Sequence, residues 1–412
     1  MWFIVCVLLI LLFPILTISN MPFLLFLPVG IIFYIYRYKD NIYPLSVNSF
    51  RNTFPKEYLL ALTLSAVYFI GHGLFLSIVK GSLSLKDISY FVFPIMYLLL
   101  IPIFSKIKFN HELLKIYFYV NVILVILVKA FPPFAHVIKV YYDLYAKGNI
   151  ASPSTAITAI LARPAGLLVH PALYGFLIYF IAKYLSIKEP KYKYFYILMA
   201  LFVAGISGGR AAILTIIILE GGSFILKGAG WKTILKRFSL ISVSSLLLFV
   251  ALFFLNPFFN WWITTTFQDL VAGGSQFRSH SIGHRMKMYQ WFIEGLNPIN
   301  GLFGGRITLE SLETLNIRYI DSELVMRMMQ FGIIGYLLFA TPFIVFYYRA
   351  KKYLYDKPEV RGFAIFCLLF LLLGSVTTTI MTKMVFVLFA SMIIAVFERE
   401  IKNNGYRESK VN

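Results

Sequence analysis

Residues 362–380 read GFAIFCLLFLLLGSVTTTI, a run without a single charged side chain. An α-helix needs about 20 such residues to cross the hydrocarbon core of a bilayer. Because lipid offers no partners to backbone polar groups, the run predicts a transmembrane helix. Other apolar runs of this kind recur along the chain, and they are continuous rather than alternating, which disfavours a β-barrel.

The apolar runs predict an all-α polytopic membrane protein of about twelve transmembrane helices. The first run, residues 1–18, has no basic residue before it and no small-residue cleavage site after it, so we expect a retained helix and not a signal peptide. The twelve predicted spans are 2–18, 22–36, 58–79, 88–104, 113–131, 167–187, 194–205, 210–226, 238–255, 323–348, 362–380 and 384–397.

The composition of the 412-residue chain agrees with this prediction, since 59% of its residues are hydrophobic and 14% are charged. Soluble domains are about half apolar and one quarter charged. The net charge of +20 comes from short basic clusters between apolar runs, which favours anionic lipid headgroups over nucleic acid as the partner. Cys6 and Cys367 lie in apolar runs, so neither a disulfide framework nor a thiolate metal cluster is expected.

The positions of Lys and Arg predict the orientation of the chain, because cytoplasmic connections carry an excess of both. Nearly two thirds of them lie in alternate connections, at 37–56, 106–115, 183–193, 227–237, 349–361 and 399–410. Both termini are therefore predicted to be cytoplasmic. The two long connections, 132–166 and 256–321, are then outer loops of one integral membrane domain covering residues 1–412.

Several motif classes are missing from the chain. It has no Walker lysine loop, no HExxH, no GxSxG, no paired-cysteine motif and no DxD motif in a nucleotide-sugar-binding setting. Nucleotide-driven and metalloprotease functions therefore have no support.

Arginine beside glycine or proline marks the predicted outer ends of two helices. Arg163 precedes Pro-Ala-Gly, with His170 seven residues later, and Gly208-Gly209-Arg210 opens the span at 210–226. A helix N-terminus carries free N–H groups and a positive dipole end, and a guanidinium adds a forked cation. The combination suits a phosphate or pyrophosphate. The alternative is an arginine that reaches for lipid headgroups.

The second outer loop carries further polar residues. It contains Arg285 and Arg306, and it ends in Asp321-Ser322-Glu323 directly before an apolar helix. Asp321 is either the N-cap of that helix, or one of the two acids is catalytic or binds sugar. The outer histidines, including His170, are candidate bases, although a lone histidine is more often structural.

Three polar residues fall inside predicted spans. His72 is expected to serve packing. Glu220 lies too deep for an outer site, so we expect it to pair with another helix or to approach the cytoplasmic interface. Arg327 also lies within a span, and the pattern assigns no role to it.

The order of these motifs resembles the O-antigen polymerase and ligase superfamily over residues 160–350. Acids where ligases tend to carry a histidine make a Wzy-type polymerase the closer match. The motifs are Arg-Pro-x-Gly…His-Pro at 163–171, Ser-Gly-Gly-Arg at 207–210, His-Arg…Trp at 284–291, Asn-Pro…Gly-x-x-Gly-Gly at 297–305, and Asp-Ser-Glu before Phe-Gly-Ile-Ile-Gly at 321–335.

The resemblance implies a GT-C-like enzyme of the bacterial inner membrane, with its active site on the periplasmic or outer side. It would transfer a glycan from one undecaprenyl-pyrophosphate carrier to the terminal sugar of another, building O-antigen, capsule or exopolysaccharide without a cofactor or metal. Its partners would be the lipid-linked oligosaccharide, membrane lipids, a chain-length regulator and a flippase.

Roles for individual residues follow from that resemblance. Arg210 and Arg285, with Arg163 or Arg306, would bind the pyrophosphate beside Gly208 and Gly209. Glu323, Asp321 or His170 would orient or deprotonate the acceptor hydroxyl. Two alternatives stay open, a ligase with a different acceptor and a flippase for the same lipid-linked glycan. Transporters more often show related halves and broken helices.

Overall fold

A computed structural model provides the structure of most of the predicted spans. The residues that it describes are 54–80, 85–105, 111–134, 171–207, 209–226, 298–305, 322–354, 357–378 and 384–411, with the single or paired positions 136, 232–233, 235–236, 239, 243, 250, 254, 260, 264, 289, 292–293 and 380. Within these residues the elements are helical and no strand occurs.

The helices are numbered in chain order. Their bounds are α1 Lys56–Lys80, α2 Leu85–Ser105, α3 His111–Ala130, α4 Pro171–Lys188, α5 Lys193–Ile206, α6 Arg210–Leu226, α7 Pro298–Phe303, α8 Glu323–Tyr353, α9 Pro358–Thr377 and α10 Met384–Val411, and a 3-10 turn covers Pro190–Tyr192.

Each of the nine predicted spans from 58–79 to 210–226 and from 323–348 to 384–397 corresponds to a helix in the same order, and the short helix α7 was not predicted. Three helices are long and apolar enough to cross a membrane among the described residues, at Lys56–Leu74, Glu323–Tyr353 and Pro358–Val376. The spans at 2–18 and 22–36 lie outside the described residues, as does nearly all of 238–255. A helical membrane protein is therefore supported, and the number twelve stays a prediction.

Helix α4 is the centre of one half of the bundle. It packs against α3, α5, α6, α9 and α10, and its residues from Leu173 to Ala182 are buried. Phe180 of α4 meets Phe363, Phe366 and Phe370 of α9 at ring-centroid distances of 5.7, 5.8 and 5.3 Å. Aromatic rings at these separations gain energy beyond their burial, so this cluster joins α4 firmly to α9.

Helix α8 is the centre of the other half, because it packs against α1, α2, α7, α9 and α10. Gly332 has φ 65° and ψ −175° inside it, which no α-helical residue adopts. The span predicted near 323–348 is therefore present as a helix, but this helix is broken after Phe331, which the sequence did not indicate. The part after the break, 333–353, is about 31 Å long at the helical rise and is long enough to cross a bilayer alone.

One end of the bundle, which we call the ionic end, is held by salt bridges. Arg349 of α8 lies 2.8 Å from Glu57 of α1 and 2.9 Å from Glu398 of α10. Lys115 of α3 lies 2.8 Å from Glu189, which follows α4. All of these residues lie in or next to connections that the distribution of Lys and Arg assigns to the same side of the membrane. Their meeting at one end of the bundle is consistent with that assignment. Which side of the membrane this end faces stays a prediction.

Candidate functional site

The structure describes only some of the predicted site residues. Glu323 and Gly209 are described, and the backbone of Arg210 is described without its side chain. The other predicted site residues lie outside the described residues and keep the standing of predictions; they are Arg163, His170, Gly208, Arg285, Arg306 and Asp321.

The turn between α5 and α6 contains the Ser-Gly-Gly-Arg motif. Ser207 caps the end of α5, and the N–H of Gly209 donates to Ala204 O at 2.8 Å. This is the six-to-one hydrogen bond of a Schellman helix end. The N–H of Gly209 is therefore committed to closing α5 and is not available to bind a phosphate. Helix α6 begins at Arg210, as the motif predicts.

The N-cap of α8 is Ser322, and the alternative that Asp321 caps this helix was wrong. The Ser322 hydroxyl oxygen accepts from Val325 N at 3.3 Å, and the helix begins at Glu323. Ser322 also donates to Ser375 O at 3.2 Å, which ties the start of α8 to the end of α9. A serine in this position satisfies one of the first N–H groups of the helix.

A buried polar cluster occupies the first three turns of α8. Glu323 and Arg327 are both 0% exposed, with Glu323 Oε1 and Arg327 Nη2 3.6 Å apart. Arg327 Nη1 donates to Gln330 Oε1 at 2.6 Å, and the guanidinium lies 5.2 Å from the ring centroid of Phe339. Removing the two ions of a pair from water costs several kcal/mol per ion, unless their attraction and further hydrogen bonds compensate. Burial of this cluster therefore lowers the free energy of unfolding unless its internal contacts offset that cost.

The break at Gly332 folds the first part of α8 back over the second. In a straight helix Arg327 and Phe339 would be separated by about 18 Å along the axis, whereas the guanidinium contacts the Phe339 ring. The rings of Phe331 and Phe339, eight residues apart, stack at 5.8 Å. Tyr336 reaches Ser375 Oγ at 2.8 Å, and Ser375 is also the residue that Ser322 contacts.

Glycines from two segments meet at the break. Gly304 and Gly305 follow α7 with φ 73° and 85°, and the N–H of Gly305 donates to Gln330 O at 2.9 Å. A Cβ on Gly304 would lie 2.4 Å from Gly332 N, and a Cβ on Gly332 would lie 2.1 Å from Leu302 O. These backbones approach so closely that a side chain fits on neither residue.

The other side of the break is covered by α1. Tyr68 donates to Phe331 O at 2.5 Å, and His72 lies with Nε2 3.0 Å from Gln330 O. The two side chains are one helical turn apart and their rings stack at 5.8 Å. His72 lies inside a helix as predicted, but it makes a polar contact as well as packing.

The arrangement limits what Glu323 can do. A carboxylate that is 0% exposed and lies beside a guanidinium cannot touch an acceptor sugar while the chain holds this conformation. Glu220, by contrast, pairs with Lys183 of α4 at 2.6 Å, which confirms the expectation that it pairs with another helix.

A metal site has little support among the described side chains. His111, Glu112 and Glu189 bring ligand atoms within 4.8 Å of one another at the ionic end. However, the Lys115 ammonium lies 2.8 Å from Glu189 Oε1 and would repel a metal ion there.

Sequence reasoning did not assign a role to Arg327, Tyr68 or His72 in this site. The signal for Arg327 was present, because a basic residue inside an apolar run, four residues after a glutamate, indicates a buried functional pair. Tyr68 and His72 gave no such signal, since their partners are backbone carbonyls more than 250 positions away in the chain.

Comparison of the chain with models of known protein families and with curated proteins gives no match. The family and the activity are therefore matters of proposal.

Proposed function

We propose that the chain is a membrane glycosyltransferase that polymerises a glycan carried on a polyprenyl pyrophosphate. The observation that carries the proposal is the convergence of motifs that are separated along the chain. Gly304-Gly305 lies against Phe331-Gly332, and the Ser322-Glu323 end of the acidic motif belongs to the same helix half as Phe331. Two motifs of the polymerase resemblance, at 297–305 and 321–335, thus meet in one structural unit, which favours a shared role.

The chemistry in this proposal is the departure of a pyrophosphate from the anomeric carbon of the donor. Negative charge grows on the leaving oxygens, and Arg210 and Arg285, with Arg163 or Arg306, would stabilise it. One preorganised donor of this kind is worth about 3 kcal/mol, or about a hundredfold in rate. Asp321 or His170 would take the proton of the acceptor hydroxyl. Glu323 could do so only after the cluster around it opens.

The direct test supplies purified protein with lipid-linked repeat units and no nucleotide sugar, and it measures product length on a gel. We expect a ladder of longer glycans, and Arg210→Ala and Arg285→Ala should each lower its yield about a hundredfold. Lys357→Ala is the matched control, because Lys357 is an exposed basic residue at the ionic end that contacts Glu400 at 3.4 Å. Unchanged ladders from both arginine variants would remove these residues from the mechanism.

A flippase for the same lipid-linked glycan is the second candidate, and the broken helix α8 favours it. Transporters often carry discontinuous helices with charged or polar groups at the break, and α8 has Arg327, Glu323 and Gln330 on one side of Gly332. In reconstituted vesicles, a flippase would move the lipid-linked glycan across the bilayer and leave its length unchanged. Lengthening without added energy would reject this candidate.

A further inference from the structure

The break in α8 leaves backbone groups that a continuous helix would satisfy. Residues before a helix end expose carbonyls that need other donors, and a buried carbonyl without a donor costs about 1–3 kcal/mol. At Gly332 the carbonyls concerned are those of Gln330 and Phe331, and both residues are buried. Their partners are therefore part of what makes the break possible.

Each of these carbonyls is satisfied from a different segment of the chain. Gln330 O accepts from Gly305 N at 2.9 Å and from His72 at 3.0 Å. A carbonyl oxygen can only accept, so Nε2 of His72 carries the proton in this contact. Phe331 O accepts from the Tyr68 hydroxyl.

Gln330 connects these contacts to the buried ion pair. Its backbone oxygen accepts from Gly305 and His72, and its side-chain Oε1 accepts from Arg327 at 2.6 Å. Arg327 in turn lies 3.6 Å from Glu323. A movement of Gln330 O away from its donors would therefore move the partner of the Arg327 guanidinium.

We propose that Tyr68, His72 and the turn 302–305 form a clasp that keeps α8 broken and thereby positions the Arg327–Glu323 pair. Tyr68 and His72 are positioning residues, since they act through Gln330 and Phe331. The turn belongs to the late loop that carries the predicted outer motifs, so the clasp couples that loop to the interior of the bundle. The existence of the clasp is independent of the proposed function, whereas its effect on glycan transfer rests on it.

The steric fit supports a clasp over ordinary packing. Within the described residues, the glycines with positive φ are Gly304, Gly305 and Gly332, and all three lie at this contact. Two segments that merely touched would not need backbone conformations that only glycine adopts readily at three positions.

The test compares His72→Leu with His72→Gln in a background in which Cys6 and Cys367 are alanine. Glutamine places an N–H near the position of Nε2, whereas leucine fills similar space and donates nothing. Leu302→Cys and Ile333→Cys, on the two sides of the contact, report the clasp through a short bismaleimide cross-link. Glycan lengthening by the purified protein reports transfer, and Gly71→Ala is the control on α1 because a Cβ there meets nothing within 4 Å.

We expect His72→Leu to lower the cross-linked fraction severalfold and the rate of lengthening about tenfold, the loss of one buried hydrogen bond. His72→Gln and Gly71→Ala should retain both. Tyr68→Phe, which removes only the hydroxyl, should behave as His72→Leu does.

Three results would overturn the proposal. An unchanged cross-link in both His72→Leu and Tyr68→Phe would reject the clasp, and a lost cross-link with normal lengthening would reject its effect on the site. A His72→Gln variant that fails as His72→Leu does would reject the hydrogen bond as the cause. If wild-type protein cross-links normally but never lengthens a glycan, the proposed function fails and the clasp stands.

Discussion

The two ends of the bundle are built by different means. At the ionic end, long charged side chains reach across helices, as Arg349 does to Glu57 and Glu398. Around the break in α8 the contacts are backbone hydrogen bonds, glycine approaches and one buried ion pair. Salt bridges with several partners tolerate small shifts, whereas backbone contacts at glycine do not. The ionic end therefore fits a structural role, and the break fits a role that needs fixed geometry.

The largest expected effect is at the buried pair. Arg327→Gln removes the cation beside the wholly buried Glu323, and breaking such a pair costs about 3–5 kcal/mol. We expect a much lower melting temperature in detergent and no glycan lengthening. Glu323→Gln/Arg327→Gln removes both charges and should recover much of the stability without recovering lengthening. Full activity in the double variant would show that the pair serves folding alone.

Arg349→Gln at the ionic end should lower the free energy of unfolding by a smaller amount, about 3 kcal/mol, because Glu57 and Glu398 lose the cation between them. The melting temperature should fall, while lengthening per folded molecule should stay at the wild-type rate. Lys357→Gln is the control, since its exposed pair with Glu400 is worth less than about 1 kcal/mol. A selective loss of activity in Arg349→Gln would contradict the division between the two ends.

Gly332→Ala tests the break itself. The backbone conformation of Gly332 is essentially restricted to glycine and costs another residue about 1–3 kcal/mol, and the added Cβ would lie 2.1 Å from Leu302 O. We expect the free energy of unfolding to fall by at least about 2 kcal/mol, measured by thermal unfolding. Gly362→Ala in α9 should be neutral or slightly stabilising, because a Cβ there meets nothing within 4 Å. Equal behaviour of the two variants would mean that the break is not required.

The smallest effect concerns pH at the ionic end. The hydrogen bond from Lys115, and then that from Tyr196, lower the pKa of the Glu189 carboxyl below its ordinary value of 4.5. A lowered pKa adds stability above the unfolded pKa, and this contribution is lost as pH falls through the folded value. Wild type should therefore melt at a higher temperature than Glu189→Gln at neutral pH, and the difference should shrink as the pH falls below the ordinary carboxyl pKa of 4.5. A constant difference across this range would exclude the ion pair as its source.

Part of the candidate site could be predicted from sequence. Helix α6 was correctly predicted to begin at Arg210, since glycine ends the preceding helix locally and an apolar run follows. The N-cap at Ser322 could not be separated from Asp321, because both residue types cap equally well and only backbone geometry decides between them. The partners of Gln330 could not be predicted at all, because backbone carbonyls carry no sequence signature.

The sequence by itself determined that this protein has long apolar segments suited to lipid and that these segments are helices. Long uncharged runs must bury their backbone polar groups in helices when lipid surrounds them, and each predicted span in the described residues is a helix. Only the tertiary structure decided that α8 is broken and that Arg327 and Glu323 are sealed inside. Hydropathy depends on residue type alone, whereas a break depends on distant segments, here Tyr68, His72 and the turn 302–305, supplying donors that the broken helix has lost.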